Sequence, residues 1–346
     1  MIKRGVLIGC GFFAENHINA WSTIDGVQIV AICDLDASRL AYMGDRFGIA
    51  HQYHDAETIL KVETPDFADI VTTASSHRKL VELCAPRVAT VICQKPFAEN
   101  LADARAMVSV CQAYGTCLIV HENFRWQRAF MMMKDLLDKD TIGAPHFARF
   151  TFRHGYDNYA SQPYLTQIER FAIMDVGLHL FDLARLFLGE VAHLSCTTQR
   201  LNSKVRGEDA FTALLRHTTG ATSICECSFQ SHYAPDPFPQ TAAVIEGDKG
   251  TLELGRDFTL IVHDRNGARQ IVTEPEVPAW GAKPWHTVQQ SVISFQQHVL
   301  AVMRRETTPQ PSGADNVETL RLALAAYEAA ARGATIDMAT WQENAA

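Results

Sequence analysis

Several protein classes are excluded by what the chain lacks. There is no basic cluster, and the net charge is −8. Nucleic acid, whose phosphates need a basic face, is therefore not an expected partner. No apolar run approaches the length of a membrane span, so no membrane segment is expected. The N-terminal Met1-Ile2-Lys3-Arg4 leads straight into an apolar run, with no secretory signal segment. The nine cysteines are an odd number with no Cys-x-x-Cys pair. Cys10, Cys33, Cys84, Cys93 and Cys117 sit in or beside apolar runs, as small core residues do. Free thiols in a reducing cytoplasm fit this usage better than a disulfide framework. The close pairs His51/His54 and Cys225/Cys227 lack the partners of a zinc site, and no metal is expected. A Gly-x-Ser-x-Gly elbow for serine hydrolysis is also missing, as are repeats and low-complexity tracts.

What is present begins at Val6. Val6-Leu7-Ile8 reads as a strand, followed by Gly9-Cys10-Gly11-Phe12-Phe13-Ala14, a helix through Trp21, and a second strand from Gln28 to Cys33 that ends at Asp34. This strand–turn–helix–strand unit suits a dinucleotide. Gly9 permits a tight turn, Gly11 leaves room for a pyrophosphate, and Ala14 allows close packing of helix on strand. The helix N-terminus offers its N–H groups to phosphate. Asp34, twenty positions beyond Ala14, can take both ribose hydroxyls. A carboxylate there repels a 2′-phosphate, which favours NAD over NADP. Arg39, one helical turn on, is the residue that could reach such a phosphate instead.

The 346 residues suffice for roughly two domains, and 47% hydrophobic residues support sizeable cores. Short apolar strands continue to alternate with amphipathic helices: Ala68–Thr73, Val91–Cys93 and Cys117–Val120 are the strands. That alternation implies a parallel sheet covered on both faces, with ligands at the carboxyl ends of its strands. Gly9, Asp34, Thr73, Gln94, Lys95 and Glu122 fall at such ends, and Ser75 and His77 open the helix after Thr73. After Asn123 the pattern changes. A helix (Phe124 to Asp138) leads to long alternating stretches at 145–154, 192–201, 210–217, 221–230, 241–246 and 259–263, separated by turn signals. They predict a largely antiparallel open sheet. One helix, 175–188, is set among them, and two more close the chain at 287–305 and 315–332. The expected fold is an α/β Rossmann domain with a doubly wound parallel sheet, residues 1–122. An α+β domain with a large, mostly antiparallel open sheet follows, residues 123–346.

Two stretches carry chemistry. On helix 175–188, Asp175, His179 and Asp182 lie at i, i+4 and i+7 on one face, while Val176, Leu180, Leu183 and Phe187 form an apolar stripe. Either this is a capped core helix with one satisfied histidine, or its polar side faces a cleft while the stripe meets the sheet. Lys95 follows a buried strand at the ligand edge, and Pro96 could set a tight or cis turn that aims it inward. Lys95 and His179 are candidates for a proton-transfer pair, because a histidine pKa of roughly 6.5 lies near working pH.

With these residues in place, the chain resembles the Gfo/Idh/MocA family, which includes glucose–fructose oxidoreductase and inositol dehydrogenase. The glycine turn with Asp34 resembles the family's cofactor site, with Phe12, Phe13 and Asn123 beside it. Gln94-Lys95-Pro96 resembles its Glu-Lys-Pro motif, Glu122-Asn123-Phe124-Arg125 a run often found after the sheet, and Asp175 with His179 its acid and histidine four apart. The resemblance covers nearly the whole chain. It implies NAD-dependent oxidation of a sugar or polyol hydroxyl, with Lys95 polarising the hydroxyl, His179 accepting its proton and Asp175 holding the substrate. It also implies a homodimer or homotetramer formed through the open sheet. Arg125, Trp126, Arg153, Tyr156, Tyr159 and Arg170 are candidates to wall the sugar, or else surface residues. The runs 11–17 and 123–127 resemble a branch that includes bacterial D-apiose dehydrogenases, implying an aldose oxidised at its anomeric carbon. One departure stands out: Gln94 takes the place of the family's glutamate, which alters the charge balance expected around the nicotinamide. That departure keeps two other readings in view, a non-catalytic NAD(H) sensor and an enzyme that recycles a tightly held NAD.

Overall fold

The computed structural model describes residues 2–343. The chain divides into two compact units, one of residues 1–123 with 291–320 and the other of 124–290 with 321–346. A single division near 122 was expected. The difference is the return of segment 291–320 to the first unit.

The first unit alternates strand and helix: β1 (Lys3–Ile8), α1 (Ala14–Ser22), β2 (Val27–Cys33), α2 (Ala37–Phe47), β3 (Gln52–Tyr53), α3 (Ala56–Glu63), β4 (Phe67–Ile70), α4 (Ala74–Cys84), β5 (Thr90–Gln94), α5 (Leu101–Tyr114) and β6 (Cys117–His121). The six strands pair in the order β3-β2-β1-β4-β5-β6, every pair parallel. The order reverses between β1 and β4, and a crevice opens at such a reversal. All residues of β4 and β5 are buried, as strands covered on both faces must be. Helix starts divide in a telling way. Asp36, Asp55 and Asn100 cap α2, α3 and α5 with their side chains. No side chain caps α1 or α4, the two helices that follow the strands flanking the reversal. Segment 291–320 protects the β6 edge: Val120 N–H donates to the Pro311 carbonyl at 3.2 Å, and Ile119 bridges to Ser312.

In the second unit, a short 3-10 turn at Phe124–Trp126 precedes α6 (Arg128–Asp138), and β7 (Pro145–Arg153) follows. Helix α7 (Leu178–Leu188) comes next, then β8 (Val191–Gln199), β9 (Ala210–His217), β10 (Thr222–Ser228), β11 (Ala242–Gly247), β12 (Gly250–Leu254), β13 (Thr259–Asp264) and β14 (Gly267–Val272). Helix α8 (His286–Met303) falls mostly in segment 291–320 of the first unit, the division at 320 falls within α9 (Gly313–Arg332), and the short β15 (Ile336–Asp337) belongs to the second unit. The sheet runs β14-β13-β12-β11-β7-β10-β9-β8-β15. Its neighbours are antiparallel except β7 and β10, which are parallel. Strands β12, β14 and the two-residue β15 are the three that sequence patterning missed. β14 is an exposed edge strand reading Gly-Ala-Arg-Gln-Ile-Val, with almost no apolar alternation to betray it. α7 covers one face through β7 and β10. On the other face Leu214 stands half exposed. Among the described residues, no helix is long and apolar enough to cross a membrane.

Candidate active site

At the end of β1 the chain turns on Gly9, whose φ is +103°, a conformation that side chains resist. A Cβ there would sit 2.6 Å from the Val71 carbonyl oxygen, so only glycine fits. At Gly11 a Cβ would meet nothing within 4 Å. The turn is thus closed on its sheet side and open on its outer side, which is the space a pyrophosphate over an uncapped helix needs. Phe12 is half exposed, whereas Phe13 packs inward against the core. Asp34 is anchored from both sides: one carboxylate oxygen accepts the Cys10 N–H at 2.6 Å, the other the Asp36 N–H at 2.8 Å. Each oxygen retains lone-pair capacity for a ribose hydroxyl. These residues fit a dinucleotide. Arg39 lies exposed with its guanidinium 3.6 Å from Asp36. Asp34→Ala should weaken NAD binding about ten- to a hundredfold and narrow the NAD/NADP preference. Titrating the variant with both cofactors tests this, and an unchanged ratio would mean that Asp34 does not meet the ribose.

Farther along the same edge, Thr73 Oγ1 is 3.3 Å from Ser75 Oγ. His77 does not behave as a cofactor contact. It is fully buried, and its two nitrogens face the Phe97 and Thr72 carbonyls at 3.1 Å each. Burial holds its pKa below the ordinary value. The ring fastens the loop after β5 to the start of α4, and no nitrogen is left for a ligand. Gln94 ends β5 with its Oε1 accepting the Lys95 N–H at 2.7 Å, and the Lys95–Pro96 peptide is cis. Asn123 Nδ2 donates to Ser291 Oγ at 2.7 Å.

In the second unit, Asp175 does not stand on a regular α-helix. Ile173–Gly177 forms a π-helical turn that runs into α7. A wide turn of this kind re-aims side chains and occurs often at functional sites. Asp175 is half-buried, and His179 is buried with its ring stacked on Phe124 at 3.9 Å and 4°. Asp182 receives a two-pronged grip from Arg125: Nε to Oδ2 at 2.8 Å and Nη2 to Oδ1 at 2.5 Å. Both partners are buried. Of the two readings of this helix, a core helix or one with a polar side facing a cleft, burial favours the first over its regular part: of Leu178–Leu188 only Leu186 is not buried. Arg125, expected at the sugar, is engaged in an internal ion pair.

Strand parity corrects a second assignment. Arg149, Thr151 and Arg153 project with Glu226, whose carboxylate is 2.6 Å from Arg149, 2.9 Å from Thr151 and 3.7 Å from Arg153. The alternate residues Phe150 and Phe152 face α7 and its surroundings, against Phe187 and Phe124. Arg153 therefore lies on the sheet face opposite α7, because side chains alternate along a strand. The residue on the α7 side is His154, which sequence reasoning passed over. The only signal for it was a histidine closing an apolar alternating strand. His154 is buried with neither ring nitrogen hydrogen-bonded, and its ring lies 4.9–5.1 Å from those of Phe152, Phe229 and Phe238. Tyr156 stacks on Phe238 at 4.4 Å. Trp126 and Tyr159 are partly buried, and Arg170 lies over the Tyr327 ring at 5.5 Å.

Burial lowers the His154 pKa to about 4, opposed by the carboxylates of Asp236 and Asp175. Between that value and the unfolded value near 6.5, the unfolded chain binds a proton that the folded chain does not. Stability is thus fully present above the unfolded pKa and is lost as pH falls toward the folded one, by up to about 3 kcal/mol. Urea midpoints of the unsubstituted protein should drop between about pH 7 and about pH 4.5 by more than those of His154→Phe, which cannot titrate. Equal drops would mean that other groups dominate.

Among the described residues, no group of three or more His, Cys, Asp and Glu side chains is placed to hold a metal ion. Residues 3–122 match the model of an oxidoreductase family with an NAD-binding Rossmann fold, and residues 130–253 match the GFO/IDH/MocA C-terminal domain. A D-apiose dehydrogenase of Paraburkholderia graminis is 46% identical over 342 residues, covering 99% of this chain and 91% of the relative. Another, from Rhizobium rhizogenes, is 45% identical and covers 97% of each chain. The crystal structure of an oxidoreductase from Agrobacterium radiobacter, in complex with NAD+, L-tartaric acid and magnesium, superposes with a TM-score of 0.96 at 45% identity. It covers 98% of this chain and 99% of that one.

Proposed function

Because the chain belongs to the GFO/IDH/MocA oxidoreductase family, we propose that it is an NAD-dependent dehydrogenase that oxidises an aldose at its anomeric carbon, with D-apiose the first candidate. The observation that carries the cofactor half of this reading is Asp34, held by two backbone N–H groups beside a glycine turn that is open outward. The substrate half is supported by the likeness to two D-apiose dehydrogenases over almost the full chain.

Bound NAD supplies the hydride acceptor, nicotinamide C4. The residues of this chain do the rest. Gly9, Gly11 and the first turn of α1 receive the pyrophosphate, and Asp34 takes the ribose diol. Lys95 orients the reacting hydroxyl and stabilises negative charge as it develops on the oxygen. His179 accepts the hydroxyl proton as general base, a role worth about 10²–10⁴ in rate. Asp175 holds a neighbouring hydroxyl. Loss of C–H as hydride and O–H as proton converts the hemiacetal to a lactone. The reading also includes a cytoplasmic setting, in keeping with nine free cysteines. It further includes a homodimer or homotetramer through the open face of the nine-stranded sheet, which sedimentation would check.

Purified protein should form NADH, followed by absorbance, with D-apiose above other aldoses and inositols. Measured NAD binding without turnover of any of these sugars would overturn the assignment.

A further inference from the structure

A buried polar chain crosses the first unit between α1, β4 and β5. His17 and Asp69 are both fully buried. His17 Nδ1 lies 2.8 Å from Asp69 Oδ2, which also accepts the Trp21 indole N–H at 2.9 Å. Gln94 Nε2 lies 3.2 Å from His17 Nε2, and Gln94 Oε1 accepts the Lys95 N–H at 2.7 Å. The His121 ring packs on that of His17 at 4.3 Å, and Gln296 Nε2 donates to the His17 carbonyl at 3.1 Å.

The direction of each link follows from the atoms at its ends. The Lys95 N–H can only donate, so the glutamine amide must turn its oxygen toward it and its NH₂ toward His17. His17 Nε2 then accepts, and the ring proton sits on Nδ1, where it is given to Asp69. Donation runs one way, from Lys95 N–H through Gln94 and His17 to Asp69. A carboxylate at position 94 has no proton for His17 Nε2. It would set two lone pairs against each other in a buried site, or draw a further proton into it.

We propose that Gln94 is a positioning residue: with His17 and Asp69 it forms a one-way hydrogen-bond relay that fixes the main chain from which Lys95 extends. Histidine at position 17 is what demands an amide at position 94. The departure from Glu-Lys-Pro is thereby a matched pair of residues rather than a loss of function. The inference deepens the proposed function, since it rests on Lys95 orienting the substrate hydroxyl.

The tautomer is tested first, on the full chain with NAD bound and histidine labelled with ¹⁵N, using His17→Gln to assign the signal. The expected spectrum shows a protonated Nδ1 and an unprotonated Nε2 for His17. An imidazolium, or a proton on Nε2, overturns the relay. Kinetics follow. Gln94→Glu should lower kcat about tenfold or more, the scale of a small misplacement of a catalytic group, with NAD affinity changed less than about threefold. Adding His17→Gln to Gln94→Glu restores a donor toward position 94 and should recover most of the lost kcat. Parental kcat in Gln94→Glu, or no recovery in the double variant, overturns the proposal. A parent protein that oxidises no sugar would sink the enzymatic reading alone, and the NMR result would still decide the relay.

Discussion

Replacing His179 by alanine should lower kcat about 10²- to 10⁴-fold while NAD affinity changes only a few-fold. The expected asymmetry comes from where the ring sits. His179 belongs to the second unit, on α7, whereas the glycine turn and Asp34 belong to the first. The variant also removes a ring stacked on Phe124 at 3.9 Å, so some stability will be lost by cavity formation, about 2–5 kcal/mol for a large-to-small change in a core. His179→Gln separates the two effects. It fills more of the space but cannot serve as a base near neutral pH. If both variants lose kcat alike and only the alanine variant loses stability, the ring is a base. If the glutamine variant keeps most of the parental kcat, the ring is there for packing.

Cutting the Arg125–Asp182 pair should be the most destabilising single change. Both side chains are buried and joined by two hydrogen bonds. Arg125→Ala takes from the buried Asp182 carboxylate the guanidinium that grips it with two hydrogen bonds, and Asp182→Ala takes from the buried Arg125 the carboxylate that accepts them. Breaking one side of a buried pair costs about 3–5 kcal/mol. Replacing both residues by apolar side chains of similar volume, as in Arg125→Met with Asp182→Leu, should recover much of that, because a matched apolar pair carries no desolvation penalty. Denaturant unfolding of the two single variants and the double variant measures it. Additive losses in the double variant would show that the two charges do not interact.

The parts of the molecule legible in advance were those coded by short-range physics. The Gly9–Ala14 turn needs its residue types within one loop, and Asp34 stands at a fixed distance along one βαβ unit. The alternation of β9, with Thr212, Leu214 and Arg216 outward, is written in the strand itself. Where the signal was thin, reading failed. β14 carries its polar residues on an exposed edge, and its pairing with β13 comes from backbone hydrogen bonds that any sequence can make. The π-turn at Ile173–Gly177 has no distinctive composition. It follows from how its surroundings hold it: Glu208 receives the Phe171 and Ile173 N–H groups from 35 to 37 positions away.

The sequence by itself determined the two architectures, the nucleotide-binding turn and the acid at the end of β2. Each depends on residues close together in the chain, where sterics and capping act directly. Tertiary structure alone decided that Arg153 and His154 face opposite sides of a sheet and that Arg125 is spent on Asp182. It also decided that segment 291–320 returns to cover β6, and that Gln94 answers to His17 across 77 positions. Those outcomes depend on which distant groups are brought within hydrogen-bond reach and hidden from water. Local pattern carries no information about that.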